Sequence, residues 1–436
     1  MLAALCALLI TVLATVPYAL TLVKEAGREV VASAGTVAHK VSPGVAAEET
    51  RAAVAEVQRP LAPQFDVALW YGARGEEPEK HGVLVESLDG KQAFASHNAD
   101  TPFNPASLLK LSTSLFALRR LGAEHRFTTQ VLLDGALDVG GTLQGDLYLD
   151  GNDPSFNDTT ATLLARELKA RGVKRVKGKI LVTPGFSFNL SESAEDSAKF
   201  AARVMKLGES STGAAEQARG QASLTIESNP LRQVLLYMNA HSVNFIADRI
   251  GNQLGGPDAL AQFLRTELKV PAEQISLQSC SGLYENRMTP RVLLGVLRAL
   301  NDETRRQNLQ PDDVLPVASC DAGTLRRRMA GTGYEGAVVG KTGTLTTTDG
   351  GMSNLSGLVY TKDEGVILFA ILSQGRSIWN NKQMTDELLA EVVHEHQPAC
   401  VADPLQTRRQ LLPPSEIRIE TADGGTLNAE RSKSKV

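Results

Sequence analysis

The chain has 436 residues, of which 42% are hydrophobic and 22% are charged, and its formal net charge at pH 7 is −4. These values are typical of a globular protein with two or three domains. They give no support for a nucleic-acid partner, which requires a strongly basic surface. The four cysteines form neither a CxxC motif nor a set with the spacing of zinc ligands.

An almost wholly apolar run covers residues 2–23 and is about long enough to span a lipid bilayer. No lysine or arginine precedes this run, whereas a secretory signal peptide has a basic start and a shorter apolar core. The segment Ala32-Ser33-Ala34 has the small residues of a cleavage site but lies far beyond the run. The sequence therefore favours a membrane anchor in residues 1–23 over a cleaved signal. Both interpretations export the rest of the chain to a periplasmic or other extracytoplasmic compartment.

Residues 24–62 are rich in alanine, valine and glutamate and are predicted to form a tether. Beyond them, apolar runs predict strands, and Asp89-Gly90 is a hairpin turn signal. These strands are predicted at 66–71, 82–88 and 91–95. Apolar residues at helical spacing then predict a helix that begins after Pro105 and ends at Gly122.

The character of the sequence changes near Thr128, where short strands alternate with glycine-rich turns. A helix is predicted at 160–171 and a strand at 179–182, and residues 185–221 are polar and irregular. Because residues 129–221 separate chemical motifs that have to meet in space, we predict that they form an inserted domain.

Regular patterns resume at residue 222 and continue to residue 400. The segment 231–250 is predicted to be one helix that carries Ser242 and Asn244. Further helices are predicted at 257–268, 291–300 and 378–396, and strands at 336–345, 356–361 and 365–373. The polar tail 401–436 is predicted to be disordered.

Ser107 and Lys110 form a Ser-x-x-Lys pair at the start of the helix that follows Pro105. Residues three apart share one face of a helix, and a serine in the first turn lies in the positive field of the helix dipole. A lysine in a dry site near another cation loses affinity for its proton and can then activate a serine. The alternative is an ordinary helix start with a solvated lysine.

Two further motifs favour the catalytic interpretation. The segment Ser242-Val243-Asn244 lies between two apolar segments, and Lys341-Thr342-Gly343-Thr344 follows strand-like residues. The order Ser-x-x-Lys, Ser-x-Asn, Lys-Thr-Gly is that of the active-site serine penicillin-recognising enzymes. The flanking segments are more specific than the motifs themselves. They lie at residues 147–155, 281–283, 315–318 and 323–329.

With these motifs and flanks, the chain resembles the class C low-molecular-mass penicillin-binding proteins, the D-alanyl-D-alanine carboxypeptidase/endopeptidase family, over about residues 64–398. The resemblance implies an α/β (α+β) fold of the serine β-lactamase/DD-peptidase type, in which helices flank an antiparallel sheet and a small domain is inserted. The catalytic domain is then discontinuous and covers residues 63–128 and 222–400, on either side of the insertion at 129–221.

The resemblance also implies a role for each polar side chain of the first two motifs and for Lys341 of the third. Ser107 is the expected nucleophile and Lys110 is its base. Ser242 relays a proton to the departing amine, and Asn244 holds both Lys110 and a substrate carbonyl. Lys341 adds positive charge, which lowers the proton affinity of Lys110 and attracts a terminal carboxylate.

The rest of the third motif is expected to bind substrate. Thr342 hydrogen-bonds the terminal carboxylate, and Gly343 lets the substrate backbone lie along the strand edge. As the resemblance implies, the N–H groups of Ser107 and Thr344 form the oxyanion hole. Neither a cofactor nor a metal is expected.

The implied function is that of an exported serine DD-peptidase, tethered to the membrane through residues 1–23. Its partners are peptidoglycan stem peptides that end in D-Ala-D-Ala or are cross-linked through a diamino acid, and β-lactam antibiotics such as penicillin, which acylate Ser107. The sequence does not separate a carboxypeptidase from an endopeptidase. A β-lactamase or esterase on the same fold and a non-catalytic wall-binding protein are the alternatives.

The chain departs from the family pattern at three places. The acidic residue of the usual Asp-Gly-Ser-Gly-Leu-Ser segment is replaced by Ser279. Val243 stands where a polar residue is more usual, and the segment Asn152-Asp153-Pro154 lacks one glycine of the usual pattern. None of these changes removes the nucleophile or the base.

A disulfide between Cys280 and Cys320 is predicted, because both lie in the exported part of the chain, where disulfides form. Both also fall at or beside positions where the family usually has glycine, in segments that approach the active-site region. Two separately buried thiols are the alternative, since cysteine is often buried without a partner.

Overall fold

The computed structural model describes residues 64–208, 210–375, 378–404, 416–421 and 426–428. The predicted anchor at 1–23 and the predicted tether at 24–62 lie outside the described residues. The described residues belong to one compact unit, Leu61–Val436. None of the helices within these ranges is long and apolar enough to cross a membrane.

The described residues form helices and strands that are numbered here in chain order. The helices are α1 (Val67–Gly72), α2 (Leu109–Leu121), α3 (Asp158–Ala170), α4 (Ala194–Met205), α5 (Leu231–His241), α6 (Asn244–Gln253), α7 (Gly256–Glu267), α8 (Pro290–Arg306) and α9 (Ile378–Val392). The strands are β1 (His81–Ser87), β2 (Ala93–His97), β3 (Thr128–Leu137), β4 (Thr142–Gly151), β5 (Arg175–Val176), β6 (Lys179–Val182), β7 (Ser211–Ala214), β8 (Gln221–Glu227), β9 (Ile275–Ser276), β10 (Arg287–Met288), β11 (Val338–Leu345), β12 (Met352–Tyr360), β13 (Val366–Ser373), β14 (Arg418–Thr421) and β15 (Thr426–Asn428).

Five of the strands form an antiparallel sheet in the order β11-β12-β13-β1-β2. Successive side chains of a strand point to opposite faces of its sheet, and β13 shows this alternation. Ile367, Phe369 and Ile371 pack on one face, whereas Leu368 and Ala370 pack on the other. Because both faces are covered, this strand is apolar along nearly its whole length.

Helices cover both faces of this sheet. On one face, α2 and α8 pack apolar residues such as Leu115 and Leu297 into the same core as Leu368. On the other face, α1 and α9 contribute Trp70 and Leu388 to a separate core. The predicted fold class, an antiparallel sheet flanked by helices, is confirmed.

A second sheet is built mostly from residues 128–227, in the order β15-β14-β8-β3-β4-β6-β7, with β5 paired to β4. Strand β3 runs antiparallel to β4 and β8, whereas β6 is parallel to both β4 and β7. Helices α3 and α4 pack on this sheet and bury Leu164 and Ala201 together with Leu147. This sheet therefore has a core of its own.

The strand predicted at residues 66–71 is wrong, because these residues form helix α1. The buried side chains are Val67, Trp70 and Tyr71, which have the i, i+3, i+4 spacing of one helix face. The Asp66 carboxylate caps the helix by accepting a hydrogen bond from the Leu69 N–H at 2.9 Å. In so short an apolar run, the 3.6-residue period of a helix and the two-residue period of a strand are not distinguishable from sequence.

Two predictions of local structure between residues 185 and 250 also require correction. The segment 185–221, predicted to be irregular, contains helix α4 and strand β7. The single helix predicted over 231–250 is two helices, α5 and α6, which meet at Ser242 and Val243. Because neither glycine nor proline marks the break, the apolar pattern alone suggested continuity.

The tail 401–436, predicted to be disordered, contains strand β14. This strand pairs antiparallel with β8, with Arg418 opposite Glu227 and Thr421 opposite Leu224. Just before it, the Glu416 carboxylate forms ion pairs with Arg126 and Arg232. A polar segment thus gains structure by adding to the edge of an existing sheet. Residues 405–415, 422–425 and 429–436 lie outside the described residues.

The predicted disulfide is wrong: Cys280 and Cys320 are both thiols and no disulfide joins them. Each packs against a different part of the chain. The Cys280 side chain lies against Gly251 of α6, so closely that a Cβ at Gly251 would be 2.3 Å from its Sγ. The Cys320 thiol lies 3.8 Å from the Ala402 carbonyl oxygen. The alternative of two separately buried thiols is the correct one.

Candidate active site

Ser107 lies in the short 3₁₀ turn that leads into α2. The turn is fixed from outside, because the Asn354 amide of β12 donates to the carbonyl oxygens of Asn104 and Pro105 at 3.0 and 3.1 Å. Ala106 has the left-handed φ of +48°, which is costly for a residue with a Cβ. Strain of this kind persists only where surrounding contacts hold the backbone, and it is typical of functional sites.

Lys110 is the centre of the hydrogen-bond network. Its Nζ lies 2.9 Å from Ser107 Oγ, 2.6 Å from Asn244 Oδ1 and 2.6 Å from the Ser281 carbonyl oxygen. The side chain is fully buried. Burial lowers the pKa of Lys110 to about 7, although the negative charge of Asp248 opposes this lowering. Near neutral pH a large share of the amine is therefore uncharged and able to accept the Ser107 proton.

Ser242 forms the corner between α5 and α6. Its backbone has φ +56° and ψ +43°, and its N–H donates to the Met238 carbonyl at the end of α5. Helix α6 begins two residues later at Asn244. The break between α5 and α6 was not predicted. It turns the Ser242 hydroxyl and the Asn244 amide towards the two motif lysines.

Lys341 projects from β11 and is fully buried. Its Nζ lies 2.9 Å from Ser242 Oγ and donates to the Thr342 carbonyl at 2.7 Å. Burial, and secondarily the charge of Lys110, hold the pKa of Lys341 well below its usual range. The structure therefore brings together all five side chains that were predicted to be catalytic, in two linked lysine–serine pairs.

Strand β11 is at the edge of its sheet, and its first half is covered. The Gly340 N–H donates to the Pro316 carbonyl at 3.1 Å, and the Ala318 N–H donates to the Val338 carbonyl at 2.8 Å. Backbone groups alternate in direction along an antiparallel strand, so the N–H groups of Thr342 and Thr344 also point to this outer side. Beyond the covered half, these groups lie along the open edge of β11.

Gly343 allows β11 and the Ser107 turn to approach closely. A Cβ at Gly343 would lie 2.6 Å from the Pro105 carbonyl oxygen and 3.2 Å from the Leu108 side chain. The sequence predicted substrate contact alone for this glycine. The structure adds a second requirement, because any side chain here displaces the turn that carries the nucleophile.

Thr324 joins the site without having been predicted. The Thr342 hydroxyl donates to Thr324 Oγ1 at 2.8 Å, and the Thr324 N–H donates to the Ala240 carbonyl at 2.8 Å. The preceding Gly323 has φ +106°, and a Cβ there would lie 2.2 Å from the same carbonyl. The exposed Thr324 is thus fixed to the end of α5, where its hydroxyl forms a pair with that of Thr342.

The loop after β9 supplies a carbonyl rather than a side chain to the site. In place of the missing acidic residue, the Ser279 hydroxyl donates to the Leu283 carbonyl at 2.9 Å and accepts from the Gly282 N–H at 3.0 Å. Gly282 has φ +89°, and a Cβ there would lie 1.8 Å from the Ala106 carbonyl oxygen. The loop therefore packs directly under the nucleophile turn and presents the Ser281 carbonyl to Lys110.

Acyl transfer requires a nucleophile, a base, an acid for the leaving group and hydrogen-bond donors for the oxyanion. The site offers Ser107 next to the buried Lys110 amine and Ser242 next to the buried Lys341 amine, and the outward N–H groups of Thr342 and Thr344 lie on the same strand as Lys341. Within the described ranges, no three histidine, cysteine, aspartate or glutamate side chains gather as a metal site.

The chain matches the model of the D-Ala-D-Ala carboxypeptidase 3 (S13) family over residues 73–198 and 186–393. These two ranges together cover more than half of the chain, and they contain all three motifs as well as the second sheet's helix α3.

Two curated proteins give the extent of the similarity. The chain is 35% identical over 111 residues to a D-alanyl-D-alanine carboxypeptidase of Actinomadura sp. (strain R39), covering 24% of this chain and 20% of that protein. It is 27% identical over 320 residues to a carboxypeptidase of Mycobacterium tuberculosis, covering 69% of this chain and 64% of that protein. Each match spans less than two thirds of the relative's length.

Solved structures share the fold over most of the chain. A predatory endopeptidase from Bdellovibrio bacteriovorus superposes with a TM-score of 0.64 at 20% identity, covering 76% of this chain and 96% of that one. Penicillin binding protein 4 from Haemophilus influenzae gives a TM-score of 0.57 at 18% identity, covering 71% and 96%. At these identities the likeness shows the fold alone, and the family follows from the sequence match. The resemblance carried by the three motifs is confirmed: the chain belongs to the D-Ala-D-Ala carboxypeptidase 3 (S13) family.

Proposed function

We propose that the chain is a serine DD-peptidase that hydrolyses the D-Ala-D-Ala ends of peptidoglycan stem peptides or their D-Ala–diamino acid cross-links. One observation carries this proposal. The buried Lys110 Nζ lies 2.9 Å from the Ser107 hydroxyl in a site that lowers the lysine pKa to about 7. Membership in the S13 family supports the same class of reaction.

Acylation begins when the neutral Lys110 amine takes the Ser107 proton. The Oγ then bonds to the carbonyl carbon of the penultimate D-Ala, and the carbonyl electron pair moves onto oxygen. The N–H groups of Ser107 and Thr344 bind this oxyanion. When the carbonyl re-forms, the C–N bond breaks and the departing amine takes a proton from the Ser242 hydroxyl. Lys110 then gives Ser242 the proton that it took from Ser107.

The terminal carboxylate of the substrate is bound at the open edge of β11. Thr342 and Thr324 offer two neighbouring hydroxyls there, 2.8 Å apart. The nearby Lys341 supplies the positive charge, because an arriving carboxylate favours the ammonium form of a buried lysine. This placement selects substrates with a free carboxylate next to the scissile bond.

Water completes the cycle. It enters after the leaving group has departed, and Lys110 takes its proton as the hydroxide attacks the ester carbonyl on Ser107. The ester C–O bond then breaks, and the proton returns from Lys110 to the Ser107 oxygen. The enzyme is restored without a cofactor.

Penicillin is expected to follow the same first step. Its strained amide places a carbonyl where the peptide carbonyl lies, and its carboxylate matches the hydroxyl pair at Thr342 and Thr324. A Bdellovibrio bacteriovorus endopeptidase of this fold has been solved in a form acylated by penicillin G. We therefore propose β-lactam antibiotics as covalent ligands of Ser107.

The leaving group decides between the two peptidase reactions. Curated relatives are named carboxypeptidases, and solved structures of the same fold are named endopeptidases. Both reactions break the bond after a D-Ala carbonyl, so both use the site in the same way. A carboxypeptidase releases free D-Ala, and an endopeptidase releases a peptide that was cross-linked through a diamino acid.

The experiment is product analysis with purified peptidoglycan, cross-linked and uncross-linked, incubated with the full chain and with Ser107→Ala. We expect released D-Ala, conversion of dimers into monomers, or both, with the wild type alone. Rapid penicillin hydrolysis without any peptidoglycan product would instead identify a β-lactamase. Binding to peptidoglycan without any product would identify a non-catalytic wall-binding protein.

We also propose where the protein acts and how it is divided. Peptidoglycan lies outside the cytoplasm, and the apolar residues 2–23 support export and tethering to a membrane. The separate core of the second sheet supports an inserted domain at 129–221, within a catalytic domain formed by 63–128 and 222–400. Strand β8 runs to residue 227, so the sheet extends past the proposed boundary.

A further inference from the structure

Asp248 lies on α6 one helical turn after Asn244, so the two side chains share a face. Asn244 Oδ1 contacts Lys110 Nζ at 2.6 Å. The Asp248 carboxylate accepts a hydrogen bond from the Cys280 N–H at 2.9 Å. One face of α6 thus contacts both the lysine and the loop that lies beneath it.

The loop is held by two hydrogen bonds at Cys280, the residue that precedes its contact with Lys110. Asp248 holds the Cys280 N–H, and the Thr113 hydroxyl of α2 donates to the Cys280 carbonyl at 2.6 Å. The next carbonyl along the chain, that of Ser281, lies 2.6 Å from Lys110 Nζ. Asp248 and Thr113 therefore fix the orientation of the carbonyl that positions the lysine.

The charges around Lys110 come from different elements. Lys341 of β11 is a second buried lysine whose charge interacts with that of Lys110, and Asp248 of α6 is an acidic group whose charge acts on Lys110. The Cys280 thiol of the loop stays neutral, because burial raises its pKa to about 12. Ser107 and Asn244 are uncharged. Burial outweighs the charge of Asp248, and the pKa of Lys110 falls to about 7.

We propose that Asp248 is a positioning residue for Lys110. Its hydrogen bond fixes the loop whose carbonyl holds the amine, and its negative charge raises the pH at which that amine becomes a free base. The inference rests on the proposed function, in which Lys110 takes the proton of Ser107.

The direction of the effect follows from the sign of the charge. A carboxylate stabilises a nearby ammonium group, so its removal lets Lys110 lose its proton at lower pH. The base form is the active one, and the acylation rate rises as it forms. In Asp248→Asn, whose amide oxygen still accepts the Cys280 N–H, the acidic limb of the rate profile should therefore move to lower pH.

The test measures the second-order rate of acylation of the full chain by fluorescent penicillin, from about pH 5 to about pH 9. We expect the acidic limb of Asp248→Asn to lie about 0.5 to 1 pH unit below that of the wild type. Asp248→Ala also loses the hydrogen bond, and its rate should fall at least several-fold at every pH. The control Asp258→Asn, at an exposed position on α7, should leave the profile unchanged.

Each outcome bears on one of the two proposals. If the wild type reacts and the limb of Asp248→Asn stays in place, the inference is wrong. If the wild type does not react with penicillin at any pH, the proposed function itself is in error. Should Asp248→Asn not fold, Asp248→Glu provides the test, because it keeps the charge. A limb at the wild-type pH supports the inference, and a limb moved to lower pH overturns it.

Discussion

Lys341 Nζ lies 2.9 Å from the hydroxyl of Ser242, a residue whose backbone is in the left-handed region. Two residues further on, Asn244 contacts Lys110. One short corner of the chain therefore contacts both buried lysines. Since two ammonium groups in a dry site repel each other, this arrangement favours a state in which one of the lysines has lost its proton.

Covalent trapping by penicillin should depend on Ser107. We expect intact-mass analysis to show one adduct on the wild type and none on Ser107→Ala, because only the hydroxyl can form the ester. Thermal unfolding of the variant provides the control, since removing one half-buried oxygen should leave the fold intact. An adduct that persists in Ser107→Ala would assign the nucleophile to another residue.

The two lysines should respond differently to arginine. Lys110→Arg keeps the positive charge but cannot supply a neutral base near neutral pH, so acylation should be abolished. Lys341→Arg still attracts a carboxylate and should retain part of the activity. The measurement is the rate of penicillin acylation for both variants side by side. Wild-type activity in Lys110→Arg would refute its role as the base.

Two substitutions at Ser242 should separate the effect of backbone strain on stability from the effect of the hydroxyl on activity. Ser242→Gly removes the cost of a left-handed residue with a Cβ and should raise the free energy of unfolding by about 1 kcal/mol. Ser242→Ala keeps that cost. Both variants lose the hydroxyl, so both should release D-Ala much more slowly than the wild type. A fully active Ser242→Gly would show that the hydroxyl takes no part in proton transfer.

Gly343 should tolerate no side chain. In Gly343→Ala the new Cβ meets the Pro105 carbonyl oxygen at 2.6 Å, so the Ser107 turn must move. We expect a loss of about 1–3 kcal/mol in the free energy of unfolding, together with slower acylation. Denaturant unfolding and penicillin labelling measure the two effects.

Gly295→Ala is the matched control for the Gly343 substitution. Gly295 lies within helix α8, and a Cβ there meets nothing within 4 Å. Alanine is the better helix former, so this variant should gain about 0.5–1 kcal/mol and retain full activity. If Gly343→Ala behaved like this control, the close approach of β11 to the turn would not matter for function.

Removal of residues 1–23 should give a soluble protein that still reacts with penicillin. The apolar run lies outside the part of the chain that builds the site, so its loss should leave acylation unchanged. Fractionation of cells that express the full and shortened chains measures the location of each. A shortened chain that stays with the membrane would show that another segment holds it there.

The sequence was most informative where the chemistry is local. Ser107 and Lys110 are three residues apart, so their proximity follows from helical geometry alone. The contact of Lys110 with Asn244 was expected from the family resemblance, and the structure places these atoms 2.6 Å apart. The contact of Lys341 with Ser242 at 2.9 Å was not predicted.

Long-range contacts account for what the sequence did not reveal. Asn354 is a single asparagine in an apolar strand, and its role depends on the pairing that places it opposite Gly343. Thr324 reaches the site only because Gly323 packs against the end of α5. Asp248 carried no motif signal, because its partner, the Cys280 N–H, is 32 residues away in the chain. None of these relations has a fixed sequence spacing.

The pairing of β14 with β8 has a consequence for synthesis on the ribosome. Strand β8 emerges long before residues 418–421, and during that interval its edge exposes unpaired N–H and C=O groups. Such an edge can pair with other chains, and slow completion of a sheet prolongs the exposure. The nascent chain should therefore depend most on chaperone protection during this interval, in which Ser242 and Lys341 are themselves translated.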